Sequence, residues 1–237
     1  EELEETGLFG AYEVLLKAGL ASKKVLQLGV HDGKTLDPLY PLISLRGVGG
    51  LGLEPVPELV ERAKRNRPSH FRIEQDFATP RNVWSWARQL GEIDVVAVDI
   101  DSYDCAVIEA LLDDAQRETT TEMPSLLSFE SNLIVPPPFK FSRGYSNASN
   151  GSRLKHQQLS STSCSLSYAV ASFGRRGYDL LTFGYDTIFV RRDLGPLYMA
   201  ARPGLQLPQD EFLCYRSSRV QISSGPLRWI REWFFRS

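Results

Sequence analysis

The chain has 237 residues, 42% hydrophobic and 24% charged, and 27 Lys and Arg against 29 Asp and Glu leave a formal net charge of -2. That near-neutral balance excludes a dedicated nucleic-acid binder, which needs a basic face to neutralise phosphates. No apolar run approaches the ~20 residues of a membrane helix, and a chain of this length buries a core without help from disulfides or metals.

In chain order, the acidic start Glu1–Thr6 leads into Leu8, Phe9, Tyr12, Leu15, Leu16 and Leu20 at helical spacing. Val25-Leu26-Gln27-Leu28-Gly29-Val30 then reads as a buried strand ending in a glycine turn. A helix over 34–45 follows, with Pro38 and Pro41 set to shorten or displace it. Val48–Leu53 is a second strand, Pro57–Asn66 a helix with proline in its first turn, and Phe71–Ile73 a third strand. The pattern predicts a helix over 81–90, a strong strand at 93–99 and a helix from Asp104, with Asp104 as its cap. Ser125–Phe129 is the fifth strand. Strands alternating with helices predict an α/β fold with a doubly wound, mostly parallel sheet.

From 131 to 162 the pattern breaks: Pro136-Pro137-Pro138 and Ser146–Ser152 suit no regular element. Long loops of this kind are functional or disordered. A helix over 163–175 and two strands, Tyr178–Phe183 and Thr187–Arg191, around Gly184-Tyr185-Asp186 close the domain as a hairpin. The expected organisation is an N-terminal end and helix (1–22), an α/β domain (23–192) with an insertion at 131–162, and an irregular tail (193–237). Leu227, Ile230, Trp233 and Phe234 form one stripe of the tail among Arg228, Arg231 and Arg236. A basic amphipathic end over 226–236 can lie on a membrane surface, pack on a partner or fold back on its own sheet.

Cys105, Cys164 and Cys214 are spaced too widely for a CxxC pair, and their odd number suits a reducing compartment. His31, His70 and His156 are equally scattered, so no zinc site is expected. The chain opens on Glu1 with methionine only at positions 123 and 199, so a removed targeting peptide fits a soluble protein of the cytoplasm or an organelle interior. Asn147-Ala148-Ser149 and Asn150-Gly151-Ser152 match glycosylation sequons, a match that chance supplies readily in an Asn/Ser-rich loop.

The candidate site gathers at the ends of the strands. Gly29 to Gly33 forms a strand-to-helix turn whose glycines let a ligand approach the backbone. Glu54, about 20 residues beyond the turn, suits ribose hydroxyls, and Asp76 suits an adenine amino group. Both acids also suit helix capping, but together with the glycine turn they favour a nucleoside site. Asp99, Asp101 and Asp104, with Glu130, either hold Mg²⁺ or Ca²⁺ through oxygen or take a proton from a substrate hydroxyl. Of these the proton role is preferred, and no metal is expected. Glu130 and Asn132 face the same crevice, where the insertion (Phe139, Phe141 and Tyr145, with Lys140, Arg143 and Lys155) would admit an acceptor or dock a partner.

Val25–Gly33, Gly52-Leu53-Glu54-Pro55 and Ile93–Asp101 together resemble the FkbM-type branch of S-adenosylmethionine-dependent methyltransferases, over about Lys24 to Arg191. The resemblance implies a class I fold, a seven-stranded sheet of order 3-2-1-4-5-7-6 with the last strand antiparallel. It implies S-adenosylmethionine as cofactor, with Gly29, His31 and Gly33 at its methionine part, Glu54 at the ribose and Asp76 at the adenine. Asp99 or Asp101 would orient a small-molecule acceptor. The chain departs from the branch at Gln27, where an acid is common, at His31 in place of Asn, and at Asp101-Ser102-Tyr103-Asp104 in place of Glu-Gly. Such departures also suit a degenerate methyltransferase fold kept as a docking subunit. A Rossmann dehydrogenase ranks last, because the turn lacks GxGxxG spacing.

Overall fold

Seven short runs of apolar residues become one sheet in the computed structural model, which describes residues 7–118, 123–146, 163–184 and 186–218. Numbered in chain order, the elements are α1 (Leu8–Lys17), β1 (Lys24–Leu28), α2 (Tyr40–Arg46), β2 (Gly49–Leu53), α3 (Pro57–Asn66) and β3 (Phe71–Glu74). Then come α4 (Val83–Ala87), β4 (Val95–Val98), α5 (Asp104–Arg117), β5 (Leu126–Glu130), α6 (Leu166–Arg175), β6 (Tyr178–Thr182) and β7 (Asp186–Arg191). A 3₁₀ turn (Arg192–Leu194), α7 (Gly195–Ala201) and α8 (Glu211–Ser217) follow.

The strand order is β3-β2-β1-β4-β5-β7-β6, as the resemblance implied. Strands β1 to β5 pair in parallel, and β7 runs antiparallel between β5 and β6. Successive strand residues point to opposite faces, so Leu26, Leu28, Val96 and Val98 meet α5 and α6 on one side. Val25, Val95 and Ala97 meet α1, α2 and α3 on the other. At the start of β4, the buried Asp94 accepts hydrogen bonds from Tyr12 Oη (2.7 Å), Ser22 N and Oγ, and Lys23 N, which fixes α1 to the sheet.

Several element boundaries differ from expectation. The helix expected from residue 34 begins at Tyr40, because Asp32 and Asp37 take the backbone amides of Lys34, Thr35 and Leu39 into turns first. The helix expected over 81–90 keeps only Val83–Ala87. Asn82 Oδ1 holds Thr79 N and Oγ1 in a turn at its start. Residues 163–165 stay outside the helix, Ser163 with positive φ (52°), and α6 starts after Ser165, whose side chain accepts from Tyr168 N as its N-cap. The tail expected to be irregular contains α7 and α8.

Cys105 and Cys164, too widely spaced for a CxxC pair, form a disulfide 59 residues apart in sequence, a bond uncommon in the reducing compartment that the odd cysteine count suggests. Cys214 is the free, buried cysteine. The two sequons, Lys155 and the 226–236 stripe lie outside the described residues. Among the described residues no helix is long and apolar enough to cross a membrane.

Candidate functional site

The exits of β2, β1, β4 and β5 lie side by side along one edge of the sheet, where open α/β sheets form their ligand crevice, and the expected residues divide there into two groups. In the β1 turn, Gly29 (φ 86°) and Gly33 (φ 74°) adopt the left-handed conformation that glycine tolerates. A Cβ at Gly29 would collide with the Asp99 carbonyl, and one at Gly33 would come within 3.1 Å of Ala63. Close packing of the chain on itself therefore accounts for both glycines. His31 also has positive φ (53°), with its side chain exposed and Nδ1 3.7 Å from Asp32 Oδ1.

Glu54 is buried at the exit of β2 and ties two loops together. Its carboxylate accepts from His31 N (2.9 Å) through Oε2 and from Val56 N (3.0 Å) through Oε1. Burial raises its pKa, and the two backbone donors pull it partly back. Asp76 accepts from its neighbour's amide, Phe77 N, and from Asn82 Nδ2 and Trp86 Nε1 (each 3.0 Å), so it anchors α4.

Sequence reasoning missed Arg67. Pro68 follows it, which disfavours helical geometry at the preceding residue, and Arg67 leaves α3 in an extended conformation (φ -97°, ψ 145°). Its guanidinium turns inward, fully buried, onto the face that Gln27 shares with Val25. There Nη2 donates to Gln27 Oε1 (2.8 Å) and to Asp37, and the group stacks 5.0 Å from the Phe71 ring. Nε and Nη1 have no hydrogen-bond partner among the described residues. Burial lowers the Arg67 pKa, and Asp37 opposes that shift. The residue standing where the resemblance expects an acid is thus held by a buried cation.

The second group is acidic. Carboxylate oxygens of Asp99, Asp101 and Glu130 all lie within 4.8 Å of one another. Asp99 is exposed on one side, yet protein surrounds its other sides. Desolvation first, then Asp104, Glu130, Asp101 and Asp186, raises its pKa to about 8. Burial, with Asp101, Asp104 and Asp186, raises Glu130 to about 7. Asp104 was expected to cap α5. Instead its carboxylate reaches back to Ile100 N (3.0 Å) and Ser102 N (3.2 Å), and burial leaves it at about 6. Asp101 adopts φ 54°, a conformation that strains most residues with a side chain. Asp186 was another residue missed. It sits opposite Glu130 in the β5–β7 register, and its pKa is raised by burial and by Asp37.

Asn132 is buried beside this cluster, but its Oδ1 receives Ile134 N and Val135 N and so shapes the loop. Of the expected acceptor-side aromatics, Tyr145 packs edge-on against Tyr103 at 4.9 Å, whereas Phe139 is exposed. The structure thus gathers Asp99, Asp101 and Glu130, with Asp104 and Asp186. It sets Gly29, His31, Gly33 and Glu54 on the β1 and β2 side, and it engages Asp76 with α4.

A scan of protein-family models and a search of curated proteins each find no match. Solved structures do match at low similarity. CalO1, a methyltransferase in calicheamicin biosynthesis in its SAH-bound form, is 16% identical over 76% of this chain and 54% of its own, with a TM-score of 0.41. A TehB-like SAM-dependent methyltransferase from Corynebacterium glutamicum is 15% identical over 76% of this chain and 86% of its own, at TM-score 0.37. The fibrillarin/Nop5p complex matches at 12% identity over 49% of this chain, TM-score 0.34, and the match spans 56% of that chain. Similarity at this level carries no functional argument.

Proposed function

We propose that this chain is a methyltransferase-like protein of the FkbM type that uses S-adenosylmethionine to methylate a hydroxyl of a small-molecule acceptor. One observation carries the reading: carboxylates stand at the exits of β2, β4 and β5, the side of an open α/β sheet where ligands bind. The residues fit the nucleoside part of the cofactor. Each Glu54 oxygen accepts one backbone N–H and keeps a lone pair for a ribose hydroxyl. Asp76, held by Trp86 and Asn82, would receive the adenine amino group, and the turn from Gly29 through His31 to Gly33 would flank the methionine part.

When bound, the cofactor supplies an electrophilic methyl group. The chain's own part is to orient the acceptor, exclude water and hold a proton. Asp99 or Asp101 would accept the acceptor's hydroxyl proton at a carboxylate oxygen, with Glu130 and Asn132 lining the acceptor side. With Asp99 at about 8, its basic form gains population as pH rises through that value.

A second reading, a degenerate fold serving as a docking subunit through 131–162 and 226–236, is favoured by Arg67. Its buried charge behind Gln27 does not attract a cofactor's ammonium group. Calorimetric titration with S-adenosylmethionine separates the two. The first reading expects micromolar binding, weakened about tenfold or more in Glu54→Gln. Folded protein that takes up no cofactor at millimolar concentration would favour the docking reading.

A further inference from the structure

The acidic turn is fixed from outside by the segment Ser163–Ser165, which brings back the 131–162 insertion. Ser163 N donates to Ser102 O (2.6 Å), inside the turn that carries Asp99 and Asp101. Cys164 is bonded to Cys105, the residue after Asp104, and both cysteines are fully buried. The Cys164 carbonyl accepts from Asn132 N (2.9 Å), at the exit of β5 beyond Glu130. On its far side the segment is held by Arg143 N to Ser163 O (3.0 Å) and Ser165 N to Phe141 O (2.8 Å). Ser165 Oγ, in turn, donates to Phe139 O (2.8 Å) and accepts from Phe141 N (2.9 Å). Three described residues therefore join the exits of β4 and β5 to the insertion, and one covalent bond lies among the hydrogen bonds.

The turn needs such a restraint. Asp101 and Ser163 both carry positive φ without being glycine (54° and 52°). Asp101, Asp104 and Asp186 act as like charges on both Asp99 and Glu130, and Glu130 acts on Asp99 as well. Strained backbone bearing like charges relaxes outward unless the surrounding structure over-determines it. We propose that the Cys105–Cys164 disulfide is a positioning device for the acidic turn, holding Asp99 and Asp101 against Glu130 by tying the insertion's return to the first turn of α5. The catalytic meaning of that position rests on the methyl-transfer reading; the mechanical claim does not.

The test compares the oxidised protein with a Cys105→Ser/Cys164→Ser double variant and with wild type treated with a water-soluble phosphine. The phosphine becomes its oxide, taking oxygen from water, as both sulfurs become thiols. Hydrogen exchange is read at the amides of Ile100, Ser102, Asn132 and Ser163, with the β1–β2 ladder as internal control. The expected result is exchange at least tenfold faster at these four amides in both reduced forms, with the control unchanged. The Asp99 carboxyl midpoint, followed by carbon-13 NMR, is expected to fall by a unit or more as the carboxylates separate. Unchanged exchange or an unchanged midpoint would overturn the proposal. So would global unfolding of both reduced forms, which would make the bond a staple for the whole fold. Alkylation of Cys105 and Cys164 as free thiols in protein isolated without reductant would also overturn it. Loss of cofactor binding alone would leave the exchange result standing, so the two readings fail separately.

Discussion

Asp32 and Asp99 lie just past the ends of adjacent strands, β1 and β4, and their surroundings treat them in opposite ways. Asp32 is enclosed by donors: Lys34 N, Thr35 N (2.7 Å), Thr35 Oγ1 (2.8 Å) and Arg62 Nη2. The hydrogen bonds from Thr35 and Lys34, that from Thr35 N foremost, lower its pKa to about 2 despite burial. Asp99 is surrounded by other acids and rises to about 8. One end of the crevice is electrostatically settled and holds the loop in shape. At the other end charge is left uncompensated, a state that sites for proton transfer or cation binding share. The sign with pH follows directly. Asp32 stabilises the fold above the ordinary carboxylate range, and that contribution is lost as pH falls toward 2. Asp99 binds more protons folded than unfolded, so it costs stability progressively as pH rises from about 4 to about 8.

The strongest way to break the settled end is Arg67→Met. It leaves Asp37 buried without its cation and Gln27 without its donor, and a cost of about 3–5 kcal/mol is expected in urea unfolding at neutral pH. A loss under 1 kcal/mol would show that the pair contributes no net stability. Asp32→Ala should cost less, about 2 kcal/mol, by freeing Lys34 N, Thr35 N and Thr35 Oγ1. The same variant should lose less stability than wild type between pH 4 and 2. The smallest effect belongs to the open end. Wild type should show a falling melting temperature from pH 5 to 9, and Asp99→Asn should flatten that decline. The gain at pH 9 should be at most about 1 kcal/mol, because solvent in the crevice screens the repulsion. Equal slopes for the two proteins in a calorimetric pH series would remove Asp99 from the unsettled group.

Much of this contrast was hidden in the sequence for definable reasons. The β1 and β4 strands were legible because Val25–Leu28 and Val95–Val98 are buried on both faces and read as continuous apolar runs. Glu54 and the acids after β4 were legible because strand ends are fixed by those runs. The start of α2 was not, since side-chain turns at Asp32 and Asp37 compete with helix over a stretch with ordinary helical spacing. Arg67 reads as one more charge in Lys64-Arg65-Asn66-Arg67, on a solvated helix face. Only Pro68 hints that the residue before it leaves the helix. The Cys105–Cys164 bond joins residues brought together by the sheet and by the insertion's path, and spacing along the chain carries no trace of it.

The antiparallel course of β7 has a geometrical consequence for what the crevice measures. Because it runs backwards, its first residue, Asp186, arrives where its neighbours end, directly across from Glu130. Carboxylates therefore mark the rim at β2, β4, β5 and β7, with β1 between the first two. Strand spacing of about 4.8 Å turns that row into a ruler of roughly 19 Å, with about 10 Å from the exit of β2 to that of β4. A molecule that touches Glu54 and Asp99 together must be as long as that gap. One no larger than a single sugar ring would have to choose an end.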